Sequence, residues 1–226
     1  MILSRNNADR GQAFPIYIVM VAGLLFVAFA FFAVGQASAT RNGAQGAADA
    51  AALAAAQDAR DGLGAPFLAA LQTPNGLDEF LRDYRYGPAP CYQAQRLAGD
   101  NRSDLVGGYP GGCHWDYGYL QDKVTAEVET RYTVGSSVIP GTATKHATAD
   151  ATAVIEFRCT WKVKDAPSTD PGSDDDEGDK GDEGDKPDLP VLTFDCDGRD
   201  GLDIDPTDPQ PWAELGKALF AVHLID

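Results

Sequence analysis

The chain has 226 residues, a formal net charge of −16 at neutral pH and four cysteines. It lacks the clustered Lys and Arg that neutralise phosphate, which excludes nucleic acid as a partner. The acidity is local: 11 acidic residues stand against Lys180 and Lys186 between Asp165 and Asp188, and a second cluster runs from Asp195 to Asp208, leaving the rest close to neutral.

Residues 1–10 precede a stretch, Gly11 to Thr40, without one charged side chain. Crossing a hydrocarbon core of about 30 Å takes about 20 apolar residues, and Ile16 to Val34 supplies them. Residues 42–60 are mostly alanine, the strongest helix former. One helix is therefore predicted from about Phe14 to about Arg60, roughly 70 Å long, with Pro15 in its first turn where no amide bond is lost. Its outer half is expected to stand clear of the bilayer as a stalk. The alternative is a cleaved secretory signal with Ala37-Ser38-Ala39 as its small-x-small site, although such signals have apolar cores of only about 7 to 15 residues. Arg5, Arg10 and the amino terminus flank one end of the apolar run against Arg41 at the other. Residues 1–10 are accordingly expected in the cytoplasm and the carboxy-terminal part outside it, a single-pass protein of the cell membrane. All four cysteines fall in the part placed outside, where disulfides persist. Of the three pairings four cysteines allow, Cys91–Cys113 with Cys159–Cys196 is preferred.

About 165 residues follow the anchor helix, enough for one small domain with a real core. Gly62-Leu-Gly-Ala-Pro66 breaks the helix, a short helix restarts near Pro66, and Thr73-Pro-Asn-Gly76 forms a turn. Leu77, Phe80, Leu81 and Tyr84 recur at helical spacing, Cys91 to Leu97 suits one further helix, and a Gly-rich loop runs from Gly107 to Gly112. Two stretches alternate with period two. Val124, Ala126, Val128, Tyr132 and Val134 oppose Thr125, Glu127, Glu129, Arg131 and Thr133; Ala149 through Trp161 repeats the pattern in one long strand. Further strands are predicted at Val191 to Cys196 and, after a short helix near Trp212, at about Leu219 to Ile225. Strands with one wet face indicate a single small antiparallel sheet covered on one side by helices, an α+β domain formed by residues 61–164 and 189–226. The stretch 165–188 has almost nothing to bury and is expected to be a disordered acidic linker that attracts cations diffusely.

Arg10-Gly11-Gln-Ala-Phe before the apolar helix, and Gln45-Gly-Ala-Ala-Asp49-Ala-Ala-Ala-Leu-Ala-Ala-Ala56 after it, resemble the amino-terminal signature of Tad/Flp pilus-assembly proteins of the TadE/TadG-like type. The resemblance covers about a quarter of the chain. It implies a membrane-anchored, minor pilin-like component of a surface pilus or its assembly machine, which meets other pilus or secretion-machine subunits through its amino-terminal helix. Prepilins of this broad group are cut after a glycine that precedes the helix, and Gly11 occupies that place. The glutamate usual five residues beyond the cut is replaced by Ile16, so an unprocessed, membrane-retained helper is the alternative to a fibre subunit. Small residues let helices approach closely, and Gly23, Gly35, Gly43, Gly46, Ala48, Ala52 and Ala55 offer such surfaces to a partner helix. The competing reading packs Ala48 to Ala56 on the protein's own sheet.

Nothing in the chain points to catalysis or to a cofactor. His114, His146 and His223 are scattered, and no zinc spacing, nucleophile elbow or P-loop occurs. Asp195 to Asp205 has the carboxylate density of a calcium loop, but Arg199 at the fifth position and no glutamate at the twelfth break the EF-hand spacing. A non-enzymatic protein of pilus assembly is the leading expectation. An anchored or secreted acidic cell-surface binding module comes second, and an exported enzyme is a distant third.

Overall fold

The computed structural model describes residues 13–108, 110–135, 141–163, 191–206 and 211–225. Residues 1–10, Gly11 and the acidic stretch 165–188 lie outside the described residues. The fold is α+β: a long apolar helix, α1 (Ala13–Asp61), leads into short helices and antiparallel strands. Pro15 stands in the first turn of α1, where its missing N–H costs nothing. At the other end Gly62 N donates to Asp58 O and Ala59 O, and the indole Nε1 of Trp212 donates to Arg60 O at 3.0 Å. Carbonyls that a helix end leaves open are thereby satisfied.

Next come α2 (Gly64–Ala70), α3 (Gly76–Asp83) and α4 (Ala89–Asp100). Asn75, at φ 60, carries the left-handed turn between α2 and α3. Gly76 has no room for a side chain, because a Cβ there would collide with the Thr73 hydroxyl and Ala70 O. The α3 stripe buries Leu77 and Leu81 and packs Phe80 and Tyr84 against the core.

The larger sheet has five strands. β3 (Gln121–Thr133) pairs on one edge with both β1 (Ser103–Leu105) and β2 (Cys113–Tyr117), and on the other with β4 (His146–Phe157), which in turn pairs with β8 (Phe220–Ile225). Cys91 in α4 is bonded to Cys113 at the start of β2, so this disulfide staples helix to strand. In β3 the predicted alternation buries Val124, Ala126 and Val128, and a bulge between Glu129 and Thr133 carries buried Thr130, whose hydroxyl donates to Tyr132 O and accepts from Ala147 N.

A second sheet replaces the single one expected. β5 (Cys159–Val163), β6 (Leu192–Cys196) and β7 (Arg199–Ile204) form it in that order, with Cys159 opposite and bonded to Cys196. The stretch read as one strand from Ala149 to Trp161 breaks at Arg158. Its amide donates to Leu219 O at 3.1 Å and its guanidinium reaches Lys217 O at 3.0 Å, so the residue holds the end of α5 (Trp212–Leu219) and turns the chain into the second sheet. Phe67, fully buried in α2, touches the rings of Phe80, Phe194, Trp212 and Phe220 and thereby locks the two sheets and α5 to one core.

The outer half of α1 is no free stalk. Ala44, Ala47, Ala48, Ala51, Ala52, Ala55, Ala56 and Ala59 are buried, and this half packs between α4 and the larger sheet. Methyl side chains keep the helix surface thin, which lets strands β3 and β4 on one side and α4 on the other close on it directly.

Candidate assembly interface

The two halves of α1 present different surfaces. From Phe14, 73% exposed, to Val34, 64% exposed, large apolar side chains point outward in every direction, with Ile16, Phe26 and Phe32 among them. This is one helix long and apolar enough to cross a membrane. Gly23 and Gly35 have no atom within 4 Å of where a side chain would begin, so their backbone is open to a partner helix.

Beyond that point the structure favours, of the two readings left open, the one that packs Ala48 to Ala56 on the protein's own domain. Ala48, Ala52 and Ala55 are fully buried inside this protein's own domain and unavailable to another chain. The reason is geometric: they lie on the stripe that faces the sheet and α4. Gly43 is likewise occupied from within, since a Cβ there would collide with the Tyr132 hydroxyl. Gly46 stays open. The accessible remainder of the Ala-rich segment is a shallow groove of about 490 Å³ in which Ala50, Leu53, Ala54 and Gln57 of α1 face Gln93 and Leu97 of α4. Sequence reasoning missed this groove. Its signal was Leu53, the one large apolar residue between Gly46 and Ala56.

The polar members of the same segment are fixed. Gln45 Nε2 donates to Asp49 Oδ1 at 2.9 Å, one turn on, and to Asp150 O of β4 at 3.3 Å. They lock the helix in register with the sheet on the side where β8 ends, beside Leu224 and Ile225.

The chemistry elsewhere is structural. A small cleft with about 20 Å³ of water-accessible space is lined by Leu63, Tyr86, Asp122 and Phe157 among others. Burial holds the Asp122 carboxyl above the usual carboxylate range, against the Gly118 amide that donates to Oδ1 at 3.2 Å. Burial, with Asp122 beside it, also keeps the Tyr86 phenol neutral well beyond its ordinary range. This pair ties the loop before α4 to the β2–β3 turn. His114 on β2, His146 on β4 and His223 on β8 belong to different strands, and among the described residues no group of His, Cys, Asp and Glu could hold a metal ion.

The calcium-like run from Asp195 to Asp205 is the β6–β7 hairpin. Asp195 Oδ1 accepts from Gly201 N at 2.9 Å, which holds its carboxyl below the usual range, and Asp203 Oδ1 accepts from the Thr193 hydroxyl at 2.6 Å. These carboxylates serve turn and cross-strand bonds.

Comparison with known proteins bears on α1 alone. Residues 11–58 match the family described as "Putative Flp pilus-assembly TadE/G-like". Among curated proteins and solved structures, nothing matches the chain.

Proposed function

We propose, from the match of residues 11–58 to the TadE/G-like pilus-assembly family, that the chain is a non-enzymatic, single-pass membrane component of Tad/Flp pilus assembly, of minor pilin-like form. Its amino terminus is cytoplasmic and its α+β domain extracytoplasmic. The observation that carries the reading is the division of α1: an inner half apolar on every side and an outer half built into a folded head. A helix of that kind is soluble in lipid, and equally in a bundle of like helices, so one subunit can wait in the membrane and join a fibre. Gly23 and Gly35 and the groove of Ala50, Leu53 and Ala54 are the surfaces offered to other subunits.

Continuity of α1 through Ala37, Ser38 and Ala39 favours retention of the anchor over release at that site, since the scissile bond would have to leave a helix. Intact-mass measurement of the membrane form separates the fates: a cut after Gly11 supports entry into a fibre, and no cut supports a retained helper. Photocrosslinking from Gly23 or Ala54 in cells should capture a pilus subunit. Unchanged pili after deletion, together with no adduct from either position, would refute the assembly role.

A further inference from the structure

The burial of α1 does not stop where the alanine segment stops. The stripe that faces the sheet at Ala47 and Ala44 continues downward through Thr40, 6% exposed, to Ala33, 4% exposed, inside the uncharged stretch. What stays fully open is Phe14 to Phe32, about 28 Å of helix, close to the roughly 30 Å of a hydrocarbon core.

Two independent measures show how low the domain reaches. Gln45 is level with Asp150, to which it is bonded, and β4 runs on from Asp150 to His146, about 13 Å, equal to some nine residues of helix. Tyr132 is level with Gly43, and the chain continues from it to Val134, about 7 Å lower. With strand and helix taken as parallel, the described ends of β3 and β4 come to the height of about Gln36 to Arg41 of α1. Bonds from Val134 N to Lys145 O, Gly135 N to Ala143 O and Lys145 N to Thr142 O hold together the described residues on either side of 136–140. Headgroups extend about 5 to 8 Å beyond the hydrocarbon on each side.

The side chains there fit that layer. Arg41 and Lys145 are exposed in a chain of net charge −16. Higher up, Arg102 lies over the Tyr132 ring at 4.7 Å and Arg131 is held by Asp104 at 2.6 Å, so those cations are engaged within the domain. We propose that the lower edge of the domain, at Val134 and Lys145, rests against the phospholipid headgroup layer from which α1 emerges, with Arg41 and Lys145 reaching down to lipid phosphate. The proposal rests on the reading that α1 spans the bilayer.

The test uses the full chain in phosphatidylcholine vesicles, with and without phosphatidylglycerol, that carry a nickel-chelating headgroup lipid. The four cysteines are bonded, so a new thiol takes a nitroxide selectively. Labels go on Thr144→Cys at the base, Phe26→Cys in the apolar half and Gln57→Cys high on the head. The expected result is a several-fold greater nickel broadening at position 144 than at 57, stronger with phosphatidylglycerol and reduced by Arg41→Glu with Lys145→Glu. The label at 26 should stay oxygen-accessible and nickel-shielded throughout. A label at 144 as unaffected as that at 57, with 26 in hydrocarbon, overturns the proposal and leaves the anchor standing. A label at 26 exposed to water overturns both.

Discussion

Replacing Ala52 by leucine tests whether α1 is the core of this domain or a surface it lends to partners. Ala52 is fully buried where α1 packs between the sheet and α4, so an isobutyl group must displace backbone on one side or the other. Overpacking of this kind costs about 1 to 3 kcal/mol. For a chain of this size each kcal/mol lowers the melting temperature by about 2 to 4 °C, so the loss should be roughly 2 to 12 °C. Ala54, two residues on, lines the open groove, and leucine there should stay within about 0.5 kcal/mol of the parent. The assay is thermal unfolding of the full chain in detergent, followed by near-ultraviolet circular dichroism from the Trp and Tyr side chains of the head. Equal melting temperatures for the two variants would refute the assignment of the Ala52 face to the core. Crosslinking to pilus subunits should show the opposite ranking, with Ala54→Leu the more disruptive.

Three further outcomes follow from the packing and the charges. Asp122 titrates above its unfolded value, so its contribution is present below the unfolded pKa and is lost as pH rises through the folded one. Asp122→Asn, which still accepts from Gly118 N, should therefore be more stable than the parent at neutral pH, with the gap closing toward pH 4 in urea titrations. The Cys159–Cys196 bond spans 37 residues of sequence, so serine at both positions should cost about 3 to 4 kcal/mol in the chain-entropy model, measured by denaturant unfolding. Gly64→Ala places a methyl 2.7 Å from Trp212 Cγ and should shift the tryptophan emission while costing about 1 to 3 kcal/mol.

What could be read from the sequence depended on how each element declares its faces. β3 declared them, because Val124, Ala126 and Val128 alternate with Thr and Glu. β4 did so less fully: Ala153, Val154 and Ile155 are all buried in succession. The break at Arg158 was invisible, since the alternation runs through it in phase, and only the tertiary bond to Leu219 shows that the chain changes sheets there. β7 was hidden in an acidic run whose aspartates are cross-strand and turn acceptors, although Leu202 and Ile204 flank Asp203 in strand phase. The largest change concerns α1. Alanine on every side gives no apolar stripe, so the segment reads equally as a stalk or as a helix packed on its own sheet, and its orientation is set by what packs on it. The groove around Leu53 stayed unread for the same reason, as did the seat of Tyr132 on Gly43.

The bonding of α1 into the head has a mechanical consequence. On the proposed reading, a pull along the helix, from the membrane or from a growing fibre, meets about 26 Å of helix from Ala44 to Asp61 gripped side-on by β3, β4, β8 and α4. Such a load shears the whole contact at once instead of peeling it one turn at a time, and Trp212 on Arg60 latches its far end. Tension on the apolar half of α1 is therefore transmitted to the sheet as a unit, since the helix runs unbroken from that half into the head.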